Sequence, residues 1–114
     1  MSMVGELKGR PRLVMQGGLT IELHPKEAWV VGRTAPDAQD IDVDLTSYGA
    51  EAGGVSRHHI RIRRTLSGFT VEDLGSINET CLNHERIPGG QPFALTHGDR
   101  LSLGNWRGTF LVDD

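Results

Sequence analysis

Apolar residues fall in short runs along this chain, and most runs alternate with polar positions. Ile60 and Ile62 alternate with Arg61 and Arg63, and Phe69 and Val71 with Thr70 and Glu72. A period of two places successive side chains on opposite faces of a strand, so each run predicts a half-buried β-strand. Residues 12–15 and 20–23 flank Gln16-Gly17-Gly18-Leu19, which reads as a hairpin. Residues 28–31 form a further run, and in 41–45 Ile41, Val43 and Leu45 share one face while Asp42 and Asp44 share the other. Residues 81–83 and 86–87 predict a tight hairpin around Asn83-His84-Glu85; residues 93–95, 100–103 and 109–112 complete the set. About ten short strands at even spacing predict an all-β sandwich or barrel. Residues 46–55 read as a loop, and no helical stripe exceeds about two turns.

Composition narrows this picture. The 15 glycines and 5 prolines lie between the apolar runs and supply the turns such a fold needs. A length of 114 residues suits one domain able to bury a core without metals or disulfides. With 37% hydrophobic and 24% charged residues, disorder is not expected. Residues 1–11 read as a flexible polar leader and 12–114 as the domain. They lack the apolar centre of a secretory signal, and no run approaches the ~20 apolar residues of a membrane span. The single cysteine, Cys81, excludes an internal disulfide. A cytoplasmic location and no membrane insertion are the expectations. A net charge of −3 disfavours binding to nucleic acid, though it leaves room for a local phosphate site. Trp29 and Trp106 read as core, Cys81 as a small apolar filler, and Arg61, Arg63 and Arg64 as a solvated basic edge.

The chemistry gathers in loops at strand ends: Gly32-Arg33, Val55-Ser56-Arg57-His58-His59, and Asp73-Leu74-Gly75-Ser76-Ile77-Asn78-Glu79-Thr80. Binding groups on β scaffolds usually sit in such loops. Arg33 and Arg57 offer planar donor forks for a phosphate. Ser56 adds a hydroxyl, and Asn78 an amide able to hold a peptide backbone. No acid neighbours Ser56 in the sequence to compete for the arginines. His58 and His59, adjacent on a strand, face opposite sides and do not predict a metal pair. A hydrolase triad of Ser56, a histidine and Asp73 would lack the Gly-x-Ser-x-Gly elbow. No enzyme activity, metal or cofactor is expected.

In order, Gly32-Arg33, Ser56-Arg57-His58-His59, Asp73 to Thr80, Leu82-Asn83, His97-Gly98-Asp99 and Leu101-Ser102-Leu103-Gly104 resemble the signature of forkhead-associated (FHA) domains, over about residues 12–112. Asp42 to Leu45 and Tyr48 to Ala50, ahead of Gly53-Gly54, resemble bacterial members. The resemblance implies a sandwich of roughly eleven strands with binding loops at one end. It implies phosphothreonine-dependent binding of partner peptides in signalling, with a Ser/Thr kinase or its substrate as partner. Arg33 and Ser56 would hold phosphate oxygens, Arg57 would lie beside phosphate or peptide, and Asn78 would pin the peptide main chain. Gly32 and His59 would support the site, His59 by bracing two loops. Ile77 stands where the family often has a threonine that contacts the phosphopeptide, so that contact is lost or passes to backbone. Glu79 replaces a usual glycine, implying turn strain or repulsion of phosphate. His84 also replaces a glycine, and histidine tolerates positive φ better than most residues. These departures keep open a second reading: a phosphate-independent scaffold or oligomerisation domain with the same fold.

Overall fold

A computed structural model describes residues 9–113. Residues 1–8 of the expected leader lie outside the described residues, while Arg10 and Pro11 already belong to the first strand. The strands are β1 (Arg10–Met15), β2 (Thr20–Glu22), β3 (Ala28–Gly32), β4 (Val43–Asp44), β5 (Ile60–Thr65), β6 (Gly68–Asp73), β7 (Thr80–Leu82), β8 (Glu85–Arg86), β9 (Pro92–Leu95), β10 (Arg100–Leu103) and β11 (Trp106–Asp113). They form two sheets, ordered β2-β1-β11-β10-β7-β8 and β4-β3-β5-β6-β9. The fold is the expected all-β sandwich.

The alternation in the sequence is the alternation of burial. Trp29, Ile62 and Val71 stand opposite one another across β3, β5 and β6, each at most 1% exposed. The other sheet contributes Leu13, Leu101, Leu103, Trp106 and Phe110 to the same core. Phe69 stacks edge-on against Phe110 across the two sheets, with ring centroids 5.2 Å apart. That geometry suits the opposite charges of ring edge and ring face. Arg64 departs from the solvated edge expected for it. Its guanidinium lies 4.8 Å from the Phe69 ring centroid and 6.0 Å from that of Trp29, so its stem covers the far end of the core.

Four local features differ from the expectation. The run 41–45 yields only the two-residue β4, which pairs parallel with β3; its last residue, Asp44, accepts from Thr34 and Thr46 through its side chain. The loop after β4 holds a 3-10 turn, Thr46–Tyr48, and one helical turn, Ala50–Gly53, ended by Gly54 at φ 76°. Cys81 is no core filler: on the outer face of its sheet it stands between Ser102 and Arg86. The β7–β8 turn is tighter than expected. Asn83 and His84 alone form it, at φ 52° and 72°, so histidine does take a positive φ here.

The strand directions gather at one end the turns following β1, β3, β4, β6 and β10. All three chemical clusters of the sequence lie there.

Candidate functional site

Gly32 ends β3 against the loop that precedes β5. A Cβ there would stand 1.8 Å from the Arg57 carbonyl oxygen, so only glycine lets the two backbones meet. Arg33 follows directly. Its Nε donates to the Val55 carbonyl at 2.8 Å. That bond aims the half-buried side chain while both terminal nitrogens stay without hydrogen-bond partners among the described residues.

Ser56 is fixed from two sides. Its backbone N–H donates to His59 Nδ1 at 3.0 Å, and its Oγ accepts from the Ile77 N–H at 3.0 Å. With Oγ already accepting, the hydroxyl proton is left to donate outward. Asn78 Nδ2 donates to the Gly54 carbonyl at 2.8 Å, which ties the loop after β6 to the loop before β5. Arg33, Ser56, Ile77 and Asn78 are thus linked through three loops, with Ile77 91% exposed.

His59 is fully buried. Its Nδ1 accepts, so the ring is neutral and carries its proton on Nε2. Nε2 makes no well-formed hydrogen bond, only a looser approach to the Glu79 backbone. Burial lowers the His59 pKa from 6.5, against the opposing pull of Asp73 and the Glu79 backbone. His58 faces elsewhere, its Nε2 2.8 Å from Asp40 Oδ1. The two histidines do not converge on a common point.

Asp73 opens the third loop cluster of the sequence, which assigns it no role in binding, yet it organises the loop that carries Ile77 and Asn78. It continues the inward row of Phe69 and Val71, so its carboxylate is buried at the end of the sandwich. It accepts from the Gly75 and Ser76 N–H groups at 2.8 and 3.0 Å, and from the Ser76 and Thr80 hydroxyls at 2.5 Å each. Burial pushes its pKa upward, but the bonds from Ser76 and Thr80 prevail and hold it below 3.8. The signal was readable: an acid at an inward strand position, followed by Gly-Ser and a threonine, is a turn built around a carboxylate.

Arg57 corrects another expectation. No acid neighbours Ser56 in sequence, but Asp37, from the loop after β3, forms an ion pair with Arg57 Nη1. Hydrogen bonding from Arg57 lowers the Asp37 pKa, and Arg33 adds a smaller charge effect. Glu79 differs as well. Its backbone is not in the left-handed region, so no turn strain arises. Its carboxylate leans to Arg86, 3.9 Å away.

The sandwich and its loop cluster define a module that presents anion donors at one end of a rigid β scaffold. The chain belongs to the FHA domain family, whose pattern matches residues 29–104. It is 37% identical to the protein FraH of a Nostoc strain over 82% of this chain and 32% of that protein. It is 31% identical to the glycogen accumulation regulator GarA of Mycobacterium tuberculosis over 79% of this chain and 60% of that protein. The chain thus spans from about a third to three fifths of these relatives' lengths. Among solved structures, M. tuberculosis EmbR in complex with a low-affinity phosphopeptide superimposes with a TM-score of 0.73 at 28% identity, over 96% of this chain and 26% of that one. A structure from a study of phosphothreonine-dependent FHA domain interactions gives 0.71 at 26% identity, over 92% and 98% of the two chains. Among the described residues, no helix is long and apolar enough to cross a membrane.

Proposed function

We propose that this chain is a phosphothreonine-dependent protein–protein interaction module. Arg33 and Ser56 hold phosphate oxygens, and Asn78 holds the peptide main chain through the amide donor and acceptor that Gly54 leaves unused. Arg57 joins them when it leaves Asp37. Ile77 contributes its backbone, which fixes Ser56, and an apolar side chain beside the peptide. Gly32 and His59 keep the loops in register. The partner is a phosphothreonine-bearing protein, a Ser/Thr kinase or its substrate, met in the cytoplasm.

One observation carries this reading: Arg33 and Ser56 are each anchored through an inner atom, Nε and Oγ, and so keep their outer donors for a ligand. Preset donors of this kind bind a dianion with little ordering cost. The same geometry supports binding over catalysis, because the Ser56 hydroxyl is bonded to an amide and not to a histidine base.

The phosphate-independent scaffold keeps one argument, the exposed Ile77 together with an Arg57 already paired to Asp37. A titration with paired degenerate peptide pools, identical but for a central phosphothreonine or threonine, separates the two. The module reading requires binding of the phosphorylated pool alone; equal binding of both pools would favour the scaffold.

A further inference from the structure

The six-stranded sheet turns its inner face to the core, and its outer face gathers positive charge. Across β8, β7, β10 and β11 the pairing sets Arg86, Cys81, Ser102 and Arg107 in one outward row, each opposite the next. Arg100 stands two residues before Ser102 on β10 and shares its face, because Leu101 between them is buried. Arg100 and Arg107 are therefore diagonal neighbours, about 7–8 Å apart at the backbone. Arg86 lies three strand spacings from Arg107, about 14 Å. All three arginines are exposed.

Little inside the molecule answers this charge. Arg107 makes no side-chain hydrogen bond or ion pair among the described residues. Arg100 Nη1 lies 3.4 Å from His84 Nε2, a ring nitrogen and not a carboxylate. Arg86 has only Glu79, 3.9 Å away, with both side chains well exposed. Asp99, next to Arg100, already accepts from Asn83 and Thr96. The acids on this face, Glu22 and Asp113, lie at its far end, where Asp113 takes Arg12 at 2.6 Å. A cluster of one sign thus stands on a chain whose net charge is −3. Protection of a sheet edge accounts for Arg86 on β8. It does not account for Arg100 and Arg107, because β10 and β11 are paired along both edges.

We propose that this face docks an extended acidic segment of a second protein, whose carboxylates are taken by the guanidinium forks of Arg86, Arg100 and Arg107. Alternate residues of an extended segment present side chains about 7 Å apart, close to the separation of Arg100 and Arg107. Among the arginines stand Cys81, Ser102 and Thr109. These short side chains offer neither an aromatic plane for stacking bases nor a bulky anchor for a bilayer. A second copy of the chain fits poorly, because its acids between β3 and β4 are engaged: Asp37 with Arg57, Asp40 with His58 and Asp42 with Lys26. Arg33 and Ser56 belong to loops of the other sheet. One chain can therefore hold a phosphothreonine at its end and an acidic partner on its side, and neither contact requires the other.

The test is a titration at low salt with a short peptide of alternating glutamate and serine, its glutamine counterpart serving as blank. The wild type is expected to bind the glutamate peptide, and in spectra of the ¹⁵N-labelled protein the amide resonances of Cys81, Ser102 and Arg107 should move. The double variant Arg100→Gln, Arg107→Gln is expected to weaken binding by about fivefold or more. The double variant Arg61→Gln, Arg63→Gln removes the same charge from the outer face of the other sheet and should stay within about twofold of the wild type. Arg33→Ala should bind the glutamate peptide as the wild type does, which separates this face from the phosphate loops. Equal weakening in the two double variants would reduce the effect to net charge and overturn the proposal. Resonance shifts confined to Ser56 and Asn78 would overturn it too, as would tighter binding of oligothymidylate or of phosphatidylserine vesicles than of the peptide. Each of these results leaves the phosphothreonine reading to its own titration.

Discussion

Gly32 lies where the end of β3 meets the loop before β5: any Cβ there would also come within 2.8 Å of the Ser56 carbonyl oxygen. Backbone cannot yield as a flexible side chain can, so Gly32→Ala must push Arg33 and Ser56 apart. The expected loss exceeds about 2 kcal/mol, read as a lower urea midpoint; an unchanged midpoint would show that the loops part without cost. Asp37 makes a gentler claim. Its ion pair with Arg57 is exposed and screened by salt. Asp37→Asn should free Arg57 and tighten phosphothreonine binding, by less than about tenfold. Weaker binding would mean that Asp37 holds Arg57 in its working position. Glu79 belongs with the neutral substitutions. Its unstrained backbone and its lean toward Arg86 remove both reasons for expecting glycine to help. Glu79→Gly should change affinity by less than about twofold; a marked gain in a titration would restore the repulsion argument.

At the scale of elements, two of the three binding loops are organised by a buried polar residue at a strand end. Asp73 ends β6 and gathers its loop by four hydrogen bonds. His59 precedes β5 and holds the Ser56 N–H from below. Because burial lowers the His59 pKa from 6.5, the unfolded chain takes up this proton at a higher pH than the folded one. The stability tied to neutral His59 is therefore complete above 6.5 and drains away as pH falls through the lowered folded value. Urea midpoints at about pH 7.5 and about pH 5.5 should show a larger fall for the wild type than for His59→Gln, which has no proton to gain. Equal falls would place the acid sensitivity elsewhere. Much of this level is readable in the sequence. The period-two runs mark β5 and β6 because each buries a single face. The run 41–45 misleads, since alternation alone cannot show that Asp44 is recruited by Thr34 and Thr46. The helical turn Ala50–Gly53 is too short to carry a periodic signal.

At the scale of the whole molecule, what the sequence hides is proximity. The order Gly-Arg, Ser-x-x-His and Asn points to one site because a known family shows it, but the ion pair of Asp37 with Arg57 crosses two loops and leaves no local trace. Arg64 is different: it continues the inward row of Ile60 and Ile62 and pairs with Phe69, so its place over Phe69 and Trp29 follows from the alternation. The sandwich supplies what isolated loops lack. Its core of inward rows fixes strand ends, and the strand ends fix where donors point. On this account affinity comes from donors set in place before the ligand arrives, with Arg33 foremost because its terminal nitrogens alone combine a full charge with no internal partner among the described residues of the site. Calorimetric titration of a phosphothreonine peptide pool into wild type and Arg33→Ala, with melting temperatures measured alongside, tests this most directly. The account predicts a loss of about 2 kcal/mol, roughly thirtyfold in affinity, at an unchanged melting temperature; equal affinities in two equally stable proteins would contradict it.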